Sequence, residues 1–403
     1  MQFGVKVRAL GMAATMIGAV IATPAMAQDE AAADSNVPTD LNILMWTDPQ
    51  RDFAFPRMED LAPVRTISNG ETFRDLPRGA DLNVTVTMGD ESWTLDEYLE
   101  DQRAAGLVVI HNGEVRLERY RMGADINTRW TSFSVAKSFT STLVGAAIVD
   151  GHIESLDALV TTYIPELEGS GYDGVTVRQL LTMTSGVRWN EDYTDPQSDV
   201  SLFNLVTPEP GIDPVVTYMR NLESEAEPGT RWLYNTGETN LIGVVVANAV
   251  GMPLADYLSQ RVWSRIGMAR DGEWIVNAGG NEIAGCCISA TVRDYARFGL
   301  FVMEGGMVGE ERIVPEGWYD AAGSRQEDIG IPGRGYGYQW WTFDDGAFAA
   351  QGIYGQGIFI DPARNLVIAS NGNWPLASNP RYSEPRVAFW RSVQAAIDAE
   401  GAE

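Results

Sequence analysis

The stretch SFSVAKSFT, residues 132 to 140, places Lys137 three residues after Ser134. Beyond residue 27 it is the only lysine in the chain, and every other strongly basic side chain there is an arginine. From Ser134 onward Phe139, Leu143, Ala147 and Ile148 recur at helical spacing, and the run stops at Asp150-Gly151. The spacing predicts a helix with Ser134 in its first turn and Lys137 at i+3 on the same face. A lysine against a serine hydroxyl can take its proton only when neutral. Its reference pKa is about 10.4, and burial lowers that by as much as roughly 3–5 units. The start of a helix also offers free N–H groups and a positive dipole end to a developing oxyanion. The chemistry predicted is attack by Ser134 with Lys137 as its base.

Further along, PGTRWLYNTGETNLIGVVVANAVG (residues 228–251) reads as a turn followed by a helix through Leu241, Val245 and Val246, with Tyr234 and Asn235 in the loop between. A phenol near the lysine can relay the serine proton or protonate a leaving group. In GIYGQGIFIDPARNLVIASNG, Ile358 and Ile360 alternate before Asp361-Pro362, and LVIAS returns, which predicts a β-hairpin. Gly352, Gly355 and Gly357 crowd its first strand, where glycine permits close backbone approach to a ligand. A backbone N–H there, near Gln356, is expected to complete an oxyanion hole with that of Ser134.

Other chemistries find little support. The two histidines are His111, in a His-Asn-Gly hairpin turn within LVVIHNGEVRLERY, and His152, just after a helix end at Gly151. Neither suits a Ser-His-Asp triad, and no G-x-S-x-G elbow occurs. There is no H-E-x-x-H or spaced cysteine pair for zinc, and no glycine loop before the lysine for a P-loop. No metal and no cofactor are implied. The only cysteines, Cys286 and Cys287, are adjacent and form no long-range staple; they read as small buried residues near the active-site wall.

The first 27 residues have the pattern of an export signal: Lys6 and Arg8, an apolar run from Ala9 to Ala22, and Ala25-Met26-Ala27 as the cleavage site. The protein is expected to be exported, periplasmic or secreted, without a membrane anchor. The formal charge of −26 becomes −28 when Lys6 and Arg8 are removed, which disfavours nucleic acid and anionic lipid as partners. Residues 28 to 80 form an extension that begins with a polar lead-in, DEAAADSNVPTD, and continues with the aromatic- and proline-bearing WTDPQRDFAFPRMEDL. The acidic loops DYTDPQSDV and EPGIDPVV are long enough to cover a site.

Ser134-x-x-Lys137, LLTMTSG at residues 180 to 186, Tyr234-Asn235 and the glycine-rich strand occur in the order found in serine β-lactamase-like hydrolases. The chain resembles that superfamily from about residue 95 to 400. It contains class C β-lactamases, penicillin-binding DD-peptidases, family VIII carboxylesterases and 6-aminohexanoate-oligomer hydrolases. The resemblance implies an α/β (α+β) fold, an antiparallel sheet flanked by helices with an inserted, mainly helical subdomain. The sheet subdomain would comprise about 81–149 and 285–400 and the helical one about 150–284, with ISATVRDYARFGLFVMEGG leading back into the sheet. It further implies that Ser134 is acylated, that Lys137 and Tyr234 carry the proton, and that Asn235 orders them.

Where β-lactamases and DD-peptidases have Lys-Thr-Gly or His-Thr-Gly, this chain has Ile353-Tyr354-Gly355, without the cation that meets a substrate carboxylate. The tyrosine motif reads Tyr-Asn-Thr rather than Tyr-x-Asn. YNTGET, GCC and GIYGQ look most like the 6-aminohexanoate-oligomer hydrolases and their esterase relatives. By that likeness Tyr193, in NEDYTDP, together with Tyr354 and Gly355, is expected to face substrate. The substrate expected is a small ester or amide. A β-lactamase or D-amino-acid peptidase that recruits Arg231 or Arg381 for a carboxylate is the enzymatic alternative. A penicillin-binding sensor that acylates without turnover is the alternative of another class.

Overall fold

The computed structural model describes residues 36–71 and 73–402. The expected export signal and the first part of the polar lead-in lie outside the described residues. The hairpin around Asn112-Gly113 joins antiparallel strands Ala104–His111 and Glu114–Tyr120, and both turn residues are left-handed, with φ of 52° and 80°. Such a turn matches the twist of the strands it joins.

Strand Leu366–Gly372 pairs with Ala104–His111, so the late part of the chain completes a sheet begun by the early part. The sheet has eight strands, all neighbours antiparallel. Its order is Glu327–Asp328, Arg334–Tyr336, Trp341–Phe343, Phe348–Gln351, Gly357–Asp361, Leu366–Gly372, Ala104–His111, Glu114–Tyr120. Side chains alternate between two cores, as the strand period requires. Val108, Ile110, Ile358 and Ile360 join Phe139 and Phe298 on one side. Leu107, Val109, Phe359 and Ile368 join Phe389, Trp390 and Val393 of the C-terminal helix Pro380–Glu400 on the other. Both faces are thus covered, which is why Ala104–His111 reads as a nearly unbroken apolar run. Helix Val292–Met303 lies close on the sheet because it has Gly299; a Cβ there would come 2.5 Å from Val367 Cγ1.

The stretch 150–284 contributes helix Thr236–Val250, packed against helix Ala136–Val149, which carries Lys137. It also holds a strand, Gly272–Ile275, where the sequence reading expected mainly helix. That strand belongs to a four-stranded sheet ordered Val64–Ile67, Gly272–Ile275, Ile288–Thr291, Arg129–Thr131. The N-terminal extension therefore supplies an edge strand. It also supplies Trp46, Phe55 and Met58, buried with Phe133 and Tyr354 directly beside the Ser134 turn. Among the described residues no single helix is long and apolar enough to cross a membrane.

Candidate active site

Strand Arg129–Thr131 leads into a 3₁₀ turn, Phe133–Val135, which passes into helix Ala136–Val149. Phe133 has a φ of 45°, a left-handed conformation that a bulky residue rarely adopts. It is held there by Phe55 and Tyr354, with ring centroids 5.0 Å and 5.2 Å away. Ser134 follows at once, half-buried, and lines a cavity of about 360 Å³.

Lys137 is buried, and its Nζ lies 3.0 Å from Ser134 Oγ, 3.0 Å from Thr236 Oγ1 and 2.8 Å from the Gly285 carbonyl oxygen. Thr236 Oγ1 in turn donates to Glu191, so toward Lys137 it accepts. A neutral amine has two N–H groups and one lone pair. In that form the two N–H groups would meet Thr236 Oγ1 and the Gly285 carbonyl, leaving the lone pair for the Ser134 hydroxyl proton; in the ammonium form the third N–H donates to Ser134 Oγ. Burial pulls the Lys137 pKa down to about 8, against the pull of the Glu191 charge, which raises it. A minor neutral fraction therefore exists near pH 7, and it becomes the larger one as pH rises past about 8.

Glu191 was not singled out in the sequence, where it is one acid among many. Its carboxylate accepts from the indole of Trp189, the hydroxyl of Thr236, the Thr236 N–H at 3.0 Å and the Tyr193 hydroxyl at 2.8 Å. Tyr193 and Thr236 both line the cavity. Tyr234 has its ring centroid 5.4 Å from Lys137 Nζ and stacks on Trp341 at 5.4 Å. Burial and the Glu191 charge push the Tyr234 phenol up, while its hydrogen bond with Ser134 draws it down; the net shift is upward. The two groups are thus driven apart, a lysine made easier to deprotonate and a tyrosine made harder. That division suits Lys137 to taking a proton and Tyr234 to keeping one available to give.

The sequence matches the beta-lactamase family over residues 94–384. The chain belongs to that family. It is 31% identical over 365 residues to the 6-aminohexanoate-dimer hydrolase of Paenarthrobacter ureafaciens, covering 87% of this chain and 90% of that one. A Bacillus anthracis protein described as a 6-aminohexanoate-dimer hydrolase superimposes with a TM-score of 0.78 at 25% identity, over 88% of this chain and 95% of its own. A class C beta-lactamase superimposes with a TM-score of 0.57 at 18% identity, over 75% and 93% of the two chains, a likeness of fold alone. The protein is a beta-lactamase-family hydrolase, with the mixed fold of that family.

Several expected site residues sit elsewhere in this hydrolase. Asn235 does not reach Lys137. It caps helix Thr236–Val250, accepting the Glu238 N–H at 3.0 Å, and its amide faces the Glu238 carboxyl at 3.2 Å. The amide that braces the lysine's partners is Asn240, a turn further on, which donates to the Thr236 carbonyl at 2.9 Å and accepts the Gly285 N–H at 3.3 Å. Tyr354 is buried under Arg51, 4.6 Å from ring centroid to guanidinium, and props Phe133 instead of facing substrate. Gly355, at φ 101°, is pressed against Trp374, where a Cβ would come within 2.7 Å of the indole nitrogen. The cause in both cases is the left-handed step at Tyr354, φ 60°, which turns the segment away from the cavity.

Gln356 is buried as well. Its amide nitrogen donates to the carbonyls of Gly372 at 2.9 Å and Ile353 at 3.2 Å, and its backbone carbonyl accepts from Gly352 at 2.9 Å. It braces the turn, and the residue of that segment that lines the cavity beside Ser134 is Ile353. The ladder between the flanking strands ends at Gln351–Gly357, which leaves the Ile353 N–H outside it. Arg231 and Arg381 are occupied elsewhere, by Glu225 at 3.1 Å and by Asp101. Cys286 and Cys287 are bridged to each other and form part of the cavity wall. The Thr-Ser-Gly motif has a supporting role: Ser185 donates to Glu238, and Gly186 at φ 80° leaves room for the Ala226 carbonyl, which a Cβ would meet at 2.0 Å.

Proposed function

We propose that the protein is a serine hydrolase that cleaves a small ester or amide through an acyl-enzyme on Ser134. Carboxylesterase activity is the primary reading, with a linear amide of the 6-aminohexanoate-oligomer type next. The observation that carries it is the 3.0 Å approach of the buried Lys137 Nζ to Ser134 Oγ, with Thr236 Oγ1 and the Gly285 carbonyl as its other two partners, so that the neutral amine has its lone pair for the Ser134 hydroxyl. Ser134 Oγ attacks the carbonyl carbon as its proton passes to Lys137 Nζ. The oxyanion is held by the N–H groups of Ser134 and Ile353. Tyr234 gives its proton to the leaving alcohol or amine and recovers one from the lysine ammonium. Water then adds to the acyl carbon by the same route in reverse, releasing the acid and restoring the serine.

No lysine, arginine or histidine lines the cavity among the described residues, so a penicillin or D-Ala-D-Ala carboxylate would enter without a cation to meet it. That argues against the β-lactamase and peptidase readings. Export is inferred too, from Lys6, Arg8 and the Ala25-Met26-Ala27 site; an N-terminus at Gln28 in the secreted protein would support it.

The test is hydrolysis of p-nitrophenyl acetate and butyrate by wild type, Ser134→Ala and Lys137→Ala, with a chromogenic cephalosporin alongside. Ester turnover lost in both folded variants supports the proposal. Rapid cephalosporin cleavage without ester turnover would replace it with the β-lactamase reading. Stoichiometric labelling without turnover would replace it with a binding role.

A further inference from the structure

The cavity beside Ser134 has a composition that the catalytic network does not explain. Leu41 and Leu44 come from the N-terminal extension, Phe203 and Leu205 from the segment after helix Asp199–Leu202, Ile275 from the four-stranded sheet, and Ile353 from the glycine-rich turn. The Cys286–Cys287 bridge completes the wall, and the polar groups present are uncharged. No Asp, Glu, Lys, Arg or His is among the lining residues described. Two of the lining leucines are left in water at the mouth: Leu41 is 46% and Leu205 62% exposed. The extension's share of the wall is fixed in place. Trp46, next to it in sequence, is buried in the cluster beneath Phe133, and its indole donates to the Asp40 carbonyl at 3.2 Å.

Tyr234, the donor to the leaving group, is not part of this wall; its ring packs with Trp232, Tyr336 and Trp341. The leaving group therefore departs on the Tyr234 side, and the cavity is left for the acyl side. A charge placed in the cavity would lose its hydration with no ion to replace it. A methylene chain placed there would shed water from its own surface and, at the mouth, from Leu41 and Leu205.

We propose that this cavity is the acyl pocket for an uncharged aliphatic chain of about six to eight carbons, and that the N-terminal extension is a specificity element within it. The proposal rests on the serine-hydrolase reading and narrows it to medium-chain neutral acyl groups.

The experiment compares kcat/KM for p-nitrophenyl acetate, butyrate, hexanoate and octanoate. Alongside run two charged hexanoyl esters, the adipate monoester and the 6-aminohexanoate ester, and a series of acetates of lengthening alcohols. Each buried methylene is worth up to about a fourfold gain. The expected result is a rise of about tenfold or more from acetate to hexanoate or octanoate, with both charged esters at least about tenfold below hexanoate. The double variant Leu41→Ala/Leu205→Ala, altered only at exposed positions, should lower the octanoate-to-acetate ratio about fivefold. A flat or falling acyl series with turnover still dependent on Ser134 overturns the proposal and leaves the serine-hydrolase reading standing. So does a gain that follows the alcohol chain alone, or a charged ester as fast as hexanoate. If no ester is turned over and a fluorophosphonate does not label Ser134, both fall together.

Discussion

Lys137 and Glu238 invite comparison. Both are buried at the junction of helices Ala136–Val149 and Thr236–Val250, and burial moves both to a pKa of about 8, the lysine from above and the carboxyl from below. Lys137 touches a half-buried hydroxyl that opens on a cavity. Glu238 touches Ser185 and Asn235, both in the core. A perturbed pKa therefore does not make a catalytic group. What separates the two is whether the partner is reachable by substrate, and which way the hydrogen bonds around the group must point.

The most severe way to break the comparison is at the nucleophile. Ser134→Ala should cost about 10³-fold or more in kcat on p-nitrophenyl butyrate, and retention of activity would end the account. Lys137→Met is next, with a loss of about 10²–10⁴-fold, the range of a general base. The same variant should melt at a higher temperature. A lysine depressed in the folded state contributes stability only above its unfolded pKa and loses it as pH falls through about 8, so near pH 7 it carries a penalty on the order of 3 kcal/mol. Calorimetry at pH 7 checks the gain; an unchanged or lower Tm would deny that the lysine is held at a cost.

Smaller effects sharpen the picture around it. Thr236→Val removes an acceptor and should cost about 10–100-fold in kcat/KM, the loss of one hydrogen bond to a catalytic group. Glu191→Gln keeps the shape but removes the charge that raises the lysine pKa, so the midpoint of the pH–rate profile should move below that of wild type. A midpoint that stays put would separate Glu191 from the base. The least effect on rate is expected from Glu238→Gln, which should show itself in stability. A carboxyl raised in the folded state contributes stability below pH 4.5 and loses it as pH rises through about 8. The Tm difference between wild type and variant should therefore shift in favour of the variant over that window, as thermal melts at pH 5, 7 and 9 would reveal.

What the sequence made legible was local. Ser134 and Lys137 meet because i and i+3 share a helix face, and the hairpin at Asn112-Gly113 forms because its turn residues accept positive φ. Strand Gly272–Ile275 was hidden inside a stretch read as helical, since its partners come from residues 64–67 and 288–291. Thr236 and Glu191 were equally hidden. They come together from 45 residues apart, and an acid in a chain with 55 acids gives no signal by type alone. Tyr354 was placed on the wrong side because motif position says nothing about a left-handed step that reverses the direction of the side chains. The extension read as packing material, which Trp46 and Phe55 are. Its leucines at the cavity could be seen only once the chain had folded back over residues 200–205.

The central claim is that Lys137 is neutral when it acts. The most direct measurement is the pH dependence of kcat/KM for p-nitrophenyl butyrate from pH 6 to 10 with wild-type protein, which reports ionisation in the free enzyme. The account predicts a rate that climbs with pH and levels off above a single ionisation near 8. A profile that is flat across this range, or that falls as pH rises through 8, would contradict it.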